Sequence, residues 1–183
     1  MATFEEDLAA AVKFHGHLCS GQILGVRMAR LAMDKLGIKN PHEYRDLIAY
    51  VEADRCIADA VCVITGCKLG RRRLKWKDYG KMAASFVDIA SGKAVRVSMP
   101  EKSLNPKQGE DIKEFWARFS DEDIFIVKNI RIDIPPEDLP GKPLNTVNCQ
   151  QCGEKIFDNR EVIRDGKILC KACAEGPYYH VLD

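Results

Sequence analysis

Apolar positions recur at helical spacing over residues 3–13, with Leu8, Val12 and the alanines on one side. The period resumes after residue 20, where Leu24, Met28, Leu31 and Leu36 share a face. Between them, Phe14-His15-Gly16-His17-Leu18-Cys19-Ser20-Gly21 breaks the first helix. Ser20 is placed to cap the second and Gly37 to close it. Asn40-Pro41 marks a turn, and Leu47-Ile48-Ala49-Tyr50-Val51 is an unbroken apolar run of the kind that forms a buried strand. Asp54 is placed to cap a helix over 55–65, ended by Gly66. Residues 70–81 are basic, contain Gly70 and Gly80, and read as a loop. Residues 83–90 and 93–99 predict two strands around Ser91-Gly92. Residues 107–119 predict a helix bearing Phe115, Trp116 and Phe119, and Ile124-Phe125-Ile126-Val127 opens a last strand that can extend to Ile132.

Four prolines fall in the ten residues from Ile134 to Pro143, which suits neither a helix nor a central strand. The pattern therefore predicts a main domain over 1–133, a semi-rigid Pro-rich linker over 134–146 and a small module over 147–183. The main domain mixes helices and strands without clean βαβ alternation, so its expected class is α+β.

Composition narrows the field. Hydrophobic residues at 46% and charged residues at 30% are globular proportions and argue against disorder. A formal net charge of +1 gives no basic field to draw the chain onto nucleic acid or an anionic membrane. The start, Met-Ala-Thr-Phe-Glu-Glu-Asp, lacks the features of a secretory signal, and no apolar run approaches the roughly 18 residues that span a bilayer. The expected compartment is cytoplasmic, where thiols stay reduced, so the eight cysteines are read first as ligands or reactive groups.

Cys149-Gln-Gln-Cys152 and Cys170-Lys-Ala-Cys173 stand 17 residues apart. Two such pairs, each forming one knuckle, supply the four sulfurs of a tetrahedral structural zinc site; a rubredoxin-like iron site uses a similar set. Lys155-Ile156-Phe157 and Lys167-Ile168-Leu169 read as hairpin strands, with Glu161–Arg164 as a strand before the turn signal Asp165-Gly166. This predicts a treble-cysteine-type zinc ribbon. Too small to bury a core alone, it would be stabilised by its metal.

The second concentration of chemistry is His15, His17 and Cys19. Side chains two apart on an extended segment point the same way, so His15 and His17 can converge on one ion. Cys19 would precede a helix N-terminus, whose dipole favours thiolate. Cys56 repeats this placement at the helix over 55–65, with Asp59 three residues later on the same face. If the two helix starts meet, His17, Cys19 and Cys56 form a mixed nitrogen–sulfur site suited to zinc or another transition metal. Cys62 reads as a small buried hydrophobe. Cys67 reads equally as packing or as function, and His42 and His180 read as surface residues. The stretch Lys68–Lys77 holds six positive charges in ten residues. Arg71, Arg72 and Arg73 are its candidate anion clamp, alongside a plain solvated loop or a nucleic-acid patch with Trp76 as stacking face.

In combination, the run from Phe14 to Gly21, Arg27-Met28, Cys56-Ile-Ala-Asp59-Ala60, Thr65-Gly66-Cys67 and Asp78-Tyr79-Gly80-Lys81 resembles the FmdE-like family of formylmethanofuran dehydrogenase over roughly residues 10–130. Ser20, Cys62 and Lys68 depart from the family pattern. The resemblance implies an α+β domain with an appended zinc ribbon, often a homodimer. It also implies a cleft lined by His15, His17, Cys19, Cys56, Asp59 and Cys67. The namesake enzyme uses a molybdenum or tungsten pterin that this chain is too short to carry.

Three functions follow as expectations. The first is a redox or one-carbon enzyme, or a component of one, with a second metal (Zn, Ni or Fe) or a thiolate at His17, Cys19 and Cys56. In it Cys19 or Cys56 is nucleophile or ligand, Asp59 moves or orients protons, and His15 belongs to the same cleft. The second is a protein that handles metal or cofactor for molybdenum or tungsten enzymes. The third is an interaction module built on the ribbon.

Overall fold

Thr3 and Glu6 form a capping box: the Glu6 amide donates to the Thr3 hydroxyl and the Glu6 carboxylate accepts from the Thr3 amide, which starts α1 (Phe4–His15). Gly16, at φ +97°, ends it. The computed structural model describes residues 2–101 and 104–182. Two compact units emerge, Met1–Asp133 and Ile134–Asp183.

In the first unit α1 is followed by α2 (Ser20–Leu36), β1 (Leu47–Val51), α3 (Cys56–Thr65), β2 (Leu74–Trp76), β3 (Ala83–Asp88), β4 (Ala94–Ser98), α4 (Ile112–Ala117), α5 (Asp121–Ile124) and β5 (Ile126–Ile130). The five strands make one mixed sheet in the order β2-β1-β3-β4-β5. β1 and β2 are parallel, with Val51 opposite Trp76, and the other pairs are antiparallel. Leu47, Ala49, Val51, Phe86, Val95 and Val97 pack with Val26, Met28, Ile57 and Val61 in one core. Ile48, Tyr50 and Val87, which alternate with them, are buried too, and this explains the unbroken apolar run of β1. The class is α+β, with one βαβ unit, β1-α3-β2, that the hydrophobic pattern does not reveal.

Several local expectations are corrected. Ser20 does not cap α2: Cys19 is the N-cap, with no side-chain cap bond, and the Ser20 hydroxyl accepts from the Trp116 indole at 3.0 Å. Asp54 does not cap α3, whose N-cap is Arg55, also without a side-chain cap bond. The expected loop over 70–81 contains β2, because Ala49 donates to the Arg73 carbonyl and Lys77 to that of Val51, pairings remote in sequence. The predicted helix over 107–119 is shortened to α4, and a separate short helix, α5, follows it. Asp111 accepts from the Lys113 and Glu114 amides and fixes a later start for α4, and Ser120 and Asp123 form a capping box that opens α5. Ile124 therefore ends a helix rather than opening a strand.

α2 and α3 approach closely because α2 carries glycines one turn apart. A Cβ on Gly25 would lie 2.6 Å from the Ala60 Cβ and 3.1 Å from the Ile57 Cα, and one on Gly21 would lie 2.7 Å from the Cys56 Cβ. Gly25→Ala is expected to lower stability by about 1–3 kcal/mol, read as a lower urea midpoint at unchanged slope. Alanine is the better helix former by about 1 kcal/mol, so equal or greater stability would show that the helices do not touch there.

Candidate metal centre

His15 is the last residue of α1, His17 lies in the elbow that follows, and Cys19 caps α2. Their ligand-capable atoms all lie within 4.8 Å of one another. The two imidazole centroids are 4.6 Å apart. Asp59, in the first turn of α3, reaches across to His15, with 2.8 Å between Oδ2 and Nδ1. A carboxylate oxygen accepts only from a protonated nitrogen, so Nδ1 carries the ring hydrogen, and in the neutral ring Nε2 then presents its lone pair. That Nε2 is buried and has no hydrogen-bond partner among the described residues.

Cys56 stands against Cys19. The two sulfurs lie 3.4 and 3.7 Å from the point where a Gly21 Cβ would sit. Burial, then the Cys19 thiol, pushes the Cys56 thiol above its ordinary value. Gln22 was not anticipated as part of this assembly. It is completely buried, donates from Nε2 to the Cys56 carbonyl at 2.7 Å and leaves Oε1 without a partner. A lone amide beside Ile23, Leu24 and Val26 on a buried face is the signal that marks it in the sequence. Arg27 braces the neighbourhood from behind, donating to the Trp116 and Phe119 carbonyls and pairing with Asp121 at 2.6 Å.

The other candidates stand apart. Cys67 is completely buried, donates to the Leu47 carbonyl at 3.4 Å and is pushed up by burial, so it packs. Cys62 lies against the core and is pushed up by burial as well. Arg73 donates to the Tyr44 and Gly66 carbonyls, closing the C-terminal end of α3. Arg71 lies in a short 3-10 turn with Arg72 as its C-cap. The arginines therefore sit past the far end of α3, a ten-residue helix about 15 Å long, from Cys56. A cavity of about 860 Å³ opens between α1, α2 and α4, lined by Phe4, Leu8, Val12, Leu18 and Trp116. No histidine or cysteine lines it, and Leu18 alone joins its wall to the elbow.

In the second unit β6 (Thr146–Asn148) pairs with β7 (Lys155–Phe157), and β8 (Val162–Arg164) with β9 (Lys167–Leu169). The strand before the first cysteine pair, β6, was missed, and it is β6 that partners Lys155–Phe157. Cys149 and Cys152 form the turn of this first hairpin. Cys170 and Cys173 make not a second knuckle but the start of α6 (Lys171–Glu175), with Cys170 as its N-cap. The four sulfurs lie within 4.8 Å of one another. The Cys152 and Cys170 amides, then burial acting the other way, bring the Cys149 thiol to about 6, whereas the Cys170 sulfur, then burial, pushes Cys173 up to about 12. Four thiols so close cannot all ionise unless a cation offsets their charge, and a divalent ion of zinc's tetrahedral preference meets that need.

Residues 14–125 match the family described as FmdE, molybdenum formylmethanofuran dehydrogenase operon. The chain belongs to the FmdE family. Residues 142–179 match the prokaryotic DksA/TraR C4-type zinc finger, a span that holds all four ribbon cysteines. A protein of Syntrophus aciditrophicus described as tungsten formylmethanofuran dehydrogenase FmdE-like has a similar crystal structure. Its TM-score is 0.63 at 26% identity, covering 98% of this chain and 96% of that one. A probable S-adenosyl-L-methionine-binding protein of Archaeoglobus fulgidus is 33% identical over 205 positions, covering 96% of this chain and 54% of that protein. The chain thus spans about half the length of this curated relative. No helix among the described residues is long and apolar enough to cross a membrane.

For this FmdE chain the ribbon makes a definite prediction. Zinc must displace the protons held by thiols such as Cys173, so its affinity falls as pH falls. Acidifying from about pH 8 to about pH 5 should release one zinc per chain to a colorimetric chelator. Cys149→Ser should release it already at the higher pH. Retention of that zinc in the variant would remove Cys149 from the ligand set.

Proposed function

We propose that the elbow between α1 and α2 holds one transition-metal ion (zinc, nickel or iron) through His15 Nε2, His17 and the Cys19 sulfur. On this reading the chain is a metal-dependent component of a redox or one-carbon enzyme related to formylmethanofuran dehydrogenase. The observation that carries the reading is the buried, unpartnered His15 Nε2, whose ring is fixed by Asp59 in the tautomer that offers its lone pair. Buried imidazole nitrogens are rarely left without a partner, and a carboxylate behind a metal-binding histidine is the usual second support. The donor set fits: two nitrogens and one thiolate suit a borderline-soft ion, and three ligands leave a position open for a substrate.

Such an ion would supply Lewis acidity or, as nickel or iron, electron transfer. The chain's own residues divide the remaining work. Asp59 keeps the proton on His15 Nδ1, and its side chain, 44% exposed against 15% for His15, can exchange protons with solvent. Cys56 offers a second sulfur beside the open position, as ligand or nucleophile. A homodimer, a cytoplasmic location that keeps the thiols reduced, and association with molybdenum or tungsten enzyme subunits belong to the same reading. The family's description supports the last of these. S-adenosylmethionine binding is not carried over, because the chain accounts for only 54% of the relative so described.

The exposure of His17 supports a second reading, in which the same ligands receive an ion and pass it on to a larger enzyme. Exchange rate separates the two, slow for an enzyme centre and fast for delivery.

Metal analysis of the full chain tests the centre. Wild type should carry two ions and His15→Ala or Cys19→Ser one. Asp59→Asn should weaken the second ion by about 10–100-fold, seen as a lowered sulfur-to-cobalt band on cobalt(II) titration. Unchanged metal content in both His15→Ala and Cys19→Ser would end the proposal.

A further inference from the structure

Four of the eight cysteines gather in the ribbon, and Cys62 and Cys67 are held against or within the core. Cys19 and Cys56 remain. Each stands at the start of a helix, Cys19 as the N-cap of α2 and Cys56 as the first residue of α3, and each is partly exposed. Gly21 gives the space they face no side chain of its own. The Cys56 sulfur lies 3.4 Å and the Cys19 sulfur 3.7 Å from the point its Cβ would occupy. After burial, the Cys19 thiol is the next cause that holds the Cys56 thiol above its ordinary value, as only a near neighbour can be.

The backbones behind the two sulfurs are fixed. Gly21 and Gly25 seat α2 on α3, and Gln22, completely buried, donates to the Cys56 carbonyl at 2.7 Å. Each sulfur is one rotatable bond from that backbone. Packing alone explains Cys67, which is completely buried, but not two partly exposed thiols that face one space. Two thiols held in this way have the placement of a redox pair, in which a second cysteine stands ready to capture an oxidised first one. Cys62 is no rival to Cys56, since it lies about 9 Å further along α3 and against the core.

We propose that Cys19 and Cys56 are a reversible dithiol–disulfide pair oxidised by a peroxide, and that closing the disulfide takes Cys19 away from the ion at the elbow. One thiol attacks an oxygen of hydrogen peroxide: the O–O bond breaks, the sulfur becomes a sulfenic acid and one water leaves. The second thiol attacks that sulfur: the S–O bond breaks, the S–S bond forms and a second water leaves. The two thiols together give up two electrons and two hydrogens, and the peroxide takes them. A small dithiol reverses the change by exchange. A disulfide sulfur is a poor ligand beside a thiolate, so the elbow would keep only His15 and His17 and release its ion. That release rests on the metal reading above, whereas the pair rests on its own geometry.

The full chain, supplied with zinc, is treated with one equivalent of hydrogen peroxide, alkylated without reduction and digested with trypsin. Cleavage after Lys13, Arg27, Arg55 and Lys68 puts Cys19 in the peptide 14–27 and Cys56, Cys62 and Cys67 in the peptide 56–68. The two peptides should appear joined, about 2 Da below their summed mass, and dithiothreitol should separate them. One zinc per chain should reach a colorimetric chelator as they join and should rebind after reduction. Cys56→Ser should give no joined peptides, and its Cys19 should go on to the sulfinic acid, about 32 Da heavier and not recovered by dithiothreitol. Cys62→Ala should behave as wild type. Four outcomes overturn the proposal: no joined peptides, joined peptides that persist in Cys56→Ser, a link between two chains in place of one within a chain, or a second zinc retained through full oxidation. Joined peptides in a chain that holds only the ribbon zinc from the outset would instead remove the metal reading and leave the pair standing.

Discussion

The contact between α2 and α3 decides what the first unit can do. Gly21 and Gly25 leave one stripe of α2 bare, and α3 lies against it with the Cys56 and Ala60 Cβ atoms where side chains would otherwise stand. Gln22 then donates to the Cys56 carbonyl and fixes the first turn of α3 along and around the helix. With that turn fixed, Cys56 meets Cys19, and Asp59 reaches His15 on a third helix. Small residues do here what no polar contact could do alone. They bring two helix starts close enough for side chains of one and two carbons to share a pocket.

The two clusters differ in what surrounds their donors. In the ribbon, four sulfurs close on one another over a core of little more than Ile156, Leu169 and Ala174, so the ion would replace a hydrophobic interior that the module lacks. In the first unit the core is complete without metal, since Trp116, Phe86, Met28 and Met33 are fully buried. There the histidines and Cys19 stand at its edge. Structural work needs a saturated ligand set, and chemistry needs an open one. The donors are four alike in the ribbon and three mixed and partly exposed at the elbow, which is the pattern the proposed open site needs.

Most helices and the ribbon were legible because their signals are local. The apolar periods of α1 and α2, the closing Gly37, the buried run of β1 and the two cysteine pairs all lie within a few positions of the elements they specify. What stayed hidden depends on contacts remote in sequence. β2 exists only because it adds to β1, and the single βαβ unit follows from that pairing. The elbow shows the same division. His15, His17 and Cys19 were readable as a cluster, and so was the condition that two helix starts must meet. That Asp59 would support His15, and that Gln22 would hold Cys56, required knowing which faces of α1, α2 and α3 touch. Ser20 and Asp54 resemble caps by sequence, but Ser20 is engaged by Trp116, and α3 begins without a side-chain cap.

Glu52 shows why the end of the sheet that leads into α3 is so constrained. Its amide donates to the Ala83 carbonyl, its carbonyl accepts from two amides, and its buried carboxylate takes both donors of Arg96 on β4. A buried ion pair of this kind adds little net stability over a well-packed apolar pair, because desolvating both charges offsets much of their attraction. Its effect is on geometry. Any path that separates Glu52 from Arg96 leaves a charge buried without its partner, so alternative courses for the chain after β1 are strongly disfavoured. Only three residues separate Glu52 from Cys56, and the same carbonyl anchors the segment bearing Tyr79. One buried carboxylate thus fixes the approach to the thiol on one side and the segment of Tyr79 on the other. An apolar pair of equal volume would pack there without setting either position.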